Sequence, residues 1–236
     1  MRLSVLGTKT IGRLCMFQYI LFDLDGTLTD PKLGITSSVQ YALRALGIEE
    51  PSLDRLEPFI GPPLSDSFRE FYHLDEEQIQ TAIAKYRERF ANQGIYENEI
   101  YPGIADMLRT LKAGGRKLAI ASSKPTEYVE RILDYFDIKA HFDIIVGSNM
   151  DGTRSKKEEV VEEALRRLIP SGLSEAEKHS AVAMVGDRRF DIEGAKAHGI
   201  FSVGVSFGYA SEGELELAGA DRIVDTVDGL LEALNG

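Results

Sequence analysis

Six short runs of aliphatic, β-branched and aromatic residues, separated by stretches of helical periodicity, constrain this chain to a layered α/β fold. The runs are Tyr19 to Asp23, Lys117 to Ser122, Phe142 to Gly147, Ala181 to Gly186, Phe201 to Val205 and Arg222 to Val224. Between them, Ile104, Met107, Leu108 and Leu111 recur at helical spacing and stop at Gly114-Gly115. Val160, Val161, Ala164, Leu165 and Leu168 mark another helix, ending near Pro170. Such alternation predicts a parallel sheet with helices on both faces, because parallel neighbours need crossover connections and those connections cover the sheet.

The interval between the first two strands breaks this pattern. From about Gly34 to Asn98 only helical periodicity is visible: Val39, Ala42, Leu43 and Leu46 share one face, and Ile79, Ile83 and Phe90 share another. The stretch is several times longer than the dozen or so residues a crossover needs. It predicts an all-α domain over 33–98, inserted between core segments 16–32 and 99–236. An insertion at the C-terminal tip of a strand overhangs that edge of the sheet, where a lid belongs.

Bulk properties exclude several classes of partner. A formal net charge of −11 argues against nucleic-acid polymers and membrane surfaces, since both require a basic face. No apolar run is long enough for a bilayer span. The single cysteine, Cys15, excludes an intrachain disulfide and fits a reducing, cytoplasmic location. Residues 1–15 contain Arg2, Lys9 and Arg13, no acid, and apolar patches interrupted by Gly7 and Gly12, which is too broken for a secretory signal. The expectation is a dispensable extension, with Met16 as the natural start.

Chemistry concentrates at the predicted strand ends. Asp23-Leu24-Asp25-Gly26-Thr27 follows the first strand, and period two places both carboxylates on one side of its tip. Asp, Gly and the later Asp30-Pro31 are also turn formers, so this motif needs partners before it reads as a site. Ser122 ends the second strand, as a helix N-cap or a phosphate ligand. Lys156 and Lys157 follow the third, as solvated charges or as phosphate neighbours. Gly186-Asp187 ends the fourth strand, and Asp191, four residues beyond Asp187, suits a helix cap. Asp187, on a strand buried on both faces, needs a partner, and a divalent cation shared with Asp23 and Asp25 would supply one.

These four motifs, in this order and with the helical insertion, resemble the haloacid dehalogenase superfamily, in its phosphoglycolate-phosphatase and 5′-nucleotidase-like branch with an α-helical cap. The resemblance spans residues 19–191. It implies a Rossmann-like core and a phosphatase, because dehalogenase members lack the acid at Asp25 and the ATPase pumps carry lysine there. By the same resemblance Asp23 attacks phosphorus to form an aspartyl-phosphate, and Asp25 protonates the leaving oxygen and then activates water. Mg²⁺ sits against the Asp23 carboxylate, the Asp25 carbonyl and the Asp187 carboxylate, with Asp191 behind them. Ser122, Lys157 in preference to Lys156, and backbone N–H groups at Gly26 take the phosphoryl oxygens. In the cap, the loop Phe59-Ile60-Gly61-Pro62-Pro63-Leu64, with Gly61 at its centre, dips toward the site, and Arg69, Tyr86 and Arg89 are candidate substrate contacts. Phe207-Gly208-Tyr209 forms a further wall. The expected substrate is a small phosphorylated metabolite, phosphoglycolate- or nucleotide-like; a sugar phosphomutase and a non-catalytic binding protein are the alternatives, and both monomer and homodimer remain open.

Overall fold

A computed structural model describes residues 17–236, so the expectations for residues 1–15 and for Met16 lie outside the described residues. The first part of the chain forms β1 (Tyr19–Phe22), β2 (Thr29–Asp30), α1 (Lys32–Ala45), α2 (Leu64–Tyr72), α3 (Glu76–Phe90), β3 (Glu99–Ile100) and α4 (Ile104–Ala113). Then come β4 (Lys117–Pro125), α5 (Thr126–Tyr135), β5 (Ile144–Ser148), α6 (Lys157–Leu168), α7 (Glu175–Ala181) and β6 (Val182–Gly186). The remainder is α8 (Arg189–Ala197), β7 (Phe201–Val205), α9 (Glu214–Ala218), β8 (Arg222–Val224) and α10 (Val227–Asn235).

The six strands expected from sequence form one parallel sheet in the order β5-β4-β1-β6-β7-β8. Period two sorts their side chains. Ile20 and Phe22 face one apolar layer together with Leu118, Ile120, Ala183 and Val185, packed under α4, α5 and α10. Leu21 faces the other with Ala119, Ala121, Val182 and Met184, against Val160, Val161 and Ala164 of α6 and Ala195 of α8. Both faces are therefore covered, which is why the strands read as continuous apolar runs rather than as alternating ones. No helix among the described residues is long and apolar enough to cross a membrane.

One pairing escapes sequence analysis. β2 and β3 form a two-residue antiparallel ladder, Thr29 opposite Ile100 and Asp30 opposite Glu99, which clasps the two ends of the helical segment. Two residues are too few to show any period. The helices between them are not loosely attached: Val39, Leu43, Ile79 and Phe90 belong to the same apolar cluster as the first face of the sheet.

The opposite end of the sheet is tied by Asp143. Its carboxylate accepts from Lys112 at 2.7 Å, Lys117 at 3.0 Å and the Leu118 N–H at 3.0 Å, linking α4, β4 and the start of β5. Partial burial would raise its pKa, but these three donors outweigh it and hold the carboxyl down at about 2. A depressed acid stabilises fully above its unfolded pKa and loses that contribution as pH falls toward the folded value. Asp143→Asn should therefore destabilise the protein at neutral pH by about 1 kcal/mol after solvent screening. The gap from wild type should close between pH 4 and pH 2. Urea unfolding at several pH values reads this out, and a gap that does not change with pH would contradict the assignment.

Candidate active site

In a parallel sheet all C-terminal strand ends share one edge, and β1 sits where the strand order reverses, the position at which open α/β sheets bind ligands. Phe22 is in register with Ile120 on one side and Val185 on the other, so Asp23, Ser122 and Asp187 emerge close together. After Asp23 the chain turns at once. The Leu24 carbonyl accepts from the N–H groups of Leu28 and Thr29, and the Gly26 N–H donates to the Thr29 carbonyl at 2.8 Å. Gly26 has φ +77°, and a Cβ there would lie 2.0 Å from an Asp187 carboxylate oxygen. In this structure Gly26 thus contributes space for Asp187, while its N–H is committed to the turn rather than free for a phosphoryl oxygen.

Lys157 organises the centre. The first residue of α6 is buried, and its Nζ lies 2.9 Å from Asp23 Oδ2, 2.7 Å from Asp191 Oδ1 and 3.1 Å from the Ala121 carbonyl. Burial alone would lower its pKa; the charges of Asp191 and Asp23 outweigh that and hold the ammonium above its ordinary value. Lys156 is exposed at the preceding helix-capping position. The other Asp23 oxygen accepts from the Leu24 N–H at 2.8 Å. Asp191 caps α8, its Oδ2 accepting from the Arg188 N–H at 3.0 Å, and its Oδ1 pairs with Lys157, a contact the sequence did not indicate. Asp187 accepts from Thr27 Oγ1 at 3.3 Å and from the Tyr209 N–H at 2.8 Å. That second bond is the contribution of the Phe207-Gly208-Tyr209 segment.

Carboxylate atoms of Asp23, Asp187 and Asp191 lie within 4.8 Å of one another, all buried, and could hold a metal ion. Burial, followed by the charges of Asp191 and Asp23, pushes Asp187 well above the usual carboxylate range. Burial likewise raises Asp191 to about 6, against the pull of Lys157. Four buried carboxylates, those of Asp23, Asp25, Asp187 and Asp191, face two buried ammonium groups, Lys124 and Lys157. When all four are ionised, this all-oxygen set is short of two positive charges, and a hard divalent cation would fit it and favour that ionised form.

Asp25 takes a different partner from Asp23. Lys124 Nζ lies 2.8 Å from both Asp25 oxygens, and the same ammonium rests 4.7 Å from the centroid of the Phe90 ring on α3. Burial raises the Asp25 pKa and Lys124 pulls it partly back. Nothing in the sequence pattern singled out Lys124. The β4–β5 register shifts between Ala121 and Pro125, and this irregularity re-aims Ser122 to Lys124 in a way strict alternation does not predict. Ser122 is buried and does not cap α5; its Oγ accepts from the Lys124 N–H at 3.4 Å.

Asp25 and Lys124 open onto a cavity of about 140 Å³ between the sheet edge and the helical segment. Phe59, Gly61 and Leu64 of the double-proline loop line it from one side, and Tyr86, Arg87 and Phe90 of α3 from the other. Of the cap candidates, Tyr86 and Gly61 line this cavity. Arg69 is not in the cavity: it is half exposed and pairs with Asp66 and Glu76 on the surface of α2 and α3. Arg89 also points elsewhere, into Glu97 at 2.8 Å and Ser38 at 3.2 Å, where it joins α3 to the exit of the helical segment. The arginine that reaches the cavity is Arg87, two positions earlier, a half-turn that sequence alone does not distinguish.

Comparison with known proteins agrees with this geometry. The model of the haloacid dehalogenase-like hydrolase family matches residues 20–205. A 5′-nucleotidase of Pseudomonas aeruginosa is 48% identical over 197 residues, 83% of this chain and 86% of that protein. The tyrosine-protein kinase PtkA of Mycobacterium tuberculosis is 38% identical over 219 residues, 92% of this chain and 72% of that protein. A crystal structure titled as a predicted phosphatase from Clostridium acetobutylicum superposes with a TM-score of 0.85 at 43% identity, covering 92% of this chain and 97% of that one. The chain belongs to the haloacid dehalogenase-like hydrolase family and is a phosphoric monoester hydrolase within it.

Proposed function

We propose that this hydrolase removes the phosphate of a small metabolite, a nucleoside 5′-monophosphate in preference to phosphoglycolate, through an aspartyl-phosphate on Asp23. The observation that carries the chemistry is the division of labour between two neighbouring acids. Asp23 lies with Lys157 among the carboxylates of Asp187 and Asp191, whereas Asp25 faces the cavity with Lys124. In this reading Asp23 is the group that attacks phosphorus. Asp25, raised by burial, is suited to deliver a proton to the departing oxygen and then to take one from the water that cleaves the intermediate. Lys157 and Ser122, both buried at the same sheet edge, would take the phosphoryl oxygens, where fixed positive charge and donors act on charge redistributed in the transition state.

Mg²⁺ fits the oxygen-only donor set, with Asp23, Asp187 and Asp191 as the carboxylates that would hold it and the Asp25 carbonyl as a further donor. When bound it supplies charge neutralisation at the phosphoryl group. The helical segment 33–98 acts as the cap, with the β2–β3 ladder as its clasp. The aromatic residues Phe59, Tyr86, Phe90 and Tyr128 around the cavity support a nucleoside as the leaving group, its flat base packing among their rings. The relative named 5′-nucleotidase supports the same choice.

The direct test is release of inorganic phosphate from nucleoside 5′-monophosphates with Mg²⁺ and no bisphosphate primer, which separates a phosphatase from a mutase. Asp23→Asn is expected to lower kcat by about a thousandfold or more, as loss of a covalent nucleophile does; activity close to wild type would overturn the assigned nucleophile. Cation binding is read separately by thermal unfolding. Mg²⁺ at a hundred times its Kd should stabilise wild type by about 2.7 kcal/mol. Asp187→Asn should abolish that shift while the variant remains folded, and an undiminished shift would place the cation elsewhere.

A further inference from the structure

Arg188 follows Asp187 directly, yet its side chain turns away from the carboxylate cluster and crosses to the helical segment. Its Nη1 donates to the Ile60 carbonyl at 2.5 Å, and its Nε donates to Glu214 Oε1 at 2.9 Å. Both ionic partners are largely buried, Arg188 at 13% and Glu214 at 11% side-chain exposure. Glu214 is itself fixed, accepting from the Arg189 N–H at 2.9 Å and from the Ser211 N–H at 3.0 Å. The next residue of the loop, Gly61, has φ +104°, and a Cβ there would come 3.1 Å from Arg188 Cγ. The loop therefore lies directly on the arginine stem. Meanwhile the Arg188 N–H is bonded to Asp191. One residue thus joins the carboxylate centre, through its backbone, to the loop that walls the cavity, through its side chain.

We propose that Arg188, braced by Glu214, is a positioning residue that pins the Ile60–Gly61 loop over the cavity and thereby sets which leaving groups the site accepts. The claim rests on the phosphatase reading for its substrate consequence. The physical reason is a separation of contacts. The phosphoryl group meets residues of the sheet edge, to which the Arg188 side chain makes no hydrogen bond; its charge reaches Asp187 only as the weakest of the influences on that carboxyl, behind burial and the neighbouring acids. The leaving group meets Phe59, Gly61 and Leu64 on one wall and Tyr86 and Phe90 on the other. A guanidinium can satisfy a carbonyl and a carboxylate at once because its donors are fixed in a planar fork; a lysine can serve only one of them well. Releasing the loop widens one wall and leaves the phosphoryl site intact, so discrimination between leaving groups falls while chemistry on a small substrate persists.

The experiment compares a nucleoside 5′-monophosphate with acetyl phosphate, whose leaving group is too small to span the cavity. In Arg188→Ala, kcat/KM for the nucleotide should fall about tenfold or more, mainly through KM, with less than about threefold change for acetyl phosphate. Arg188→Lys should recover part of the nucleotide loss, and Glu214→Gln should show a weaker version of the same selective loss. Equal losses on both substrates would overturn the proposal, since they would mean that Arg188 supports the carboxylate centre instead. No loss on either would overturn it as well. Hydrogen exchange supplies a readout that needs no turnover: amides across residues 59–66 should exchange at least about tenfold faster in Arg188→Ala, with α10 and β8 unchanged. If wild type hydrolyses neither substrate the phosphatase reading fails, and the exchange result alone then decides the latch; unchanged exchange in the loop would refute it.

Discussion

The ammonium of Lys157 is the contact on which the site depends. Burying a carboxylate costs several kcal/mol unless something compensates, and this fold buries those of Asp23, Asp187 and Asp191 within a few ångströms of each other. Lys157 touches two of the three and the Ala121 carbonyl as well, so β1, β4, α6 and α8 all meet at one nitrogen. The surrounding backbone makes room in the same economical way. Glycine stands at 26, 186 and 208, where a Cβ would run into the Asp187 or Asp191 side chain. Charge and space are therefore arranged together. A cluster left short of positive charge is costly for stability and apt for binding a cation, whose charge an anionic substrate would then need, and such an exchange of stability for binding is common at functional sites.

A second charge, Lys124, joins the two halves of the active-site cleft. It pairs with Asp25 on the sheet side and lies against the Phe90 ring on the helical side, and Arg188 makes a comparable crossing a short way off. The apolar cluster that continues from the sheet into α1 and α3 adds non-directional attraction between the same two parts. Directional contacts at the cleft then decide where the walls stand. Burial keeps the helical segment attached, and a few charge-assisted bonds set its position.

Much of this was legible in the chain itself, for identifiable reasons. The six strands lie on a sheet covered on both faces, so each appears as an apolar run, and the run ends mark the edge where Asp23, Ser122 and Asp187 collect. Lys157 could be preferred to Lys156 because it sits nearer the helix start, and it is the buried member of the pair. The signal weakens where a residue's role depends on a neighbour distant in sequence. Arg69, Arg87 and Arg89 look alike on helical periodicity, and only packing against the sheet edge sends Arg87 to the cavity while the others meet acids. The β2–β3 clasp is too short to have a period.

The sequence by itself determined the α/β architecture, the helical insertion and the carboxylates at the strand tips, because apolar periodicity and strand-end chemistry are local properties. The tertiary structure decided how the two acids of the first motif are partnered. Period two places Asp23 and Asp25 on one side of a strand, but the chain turns immediately after Asp23, and the irregularity in β4 carries Lys124 to Asp25 while α6 brings Lys157 to Asp23. Those pairings join residues about a hundred positions apart or more. Only the folded sheet, by setting strand order and register, could determine which lysine meets which acid.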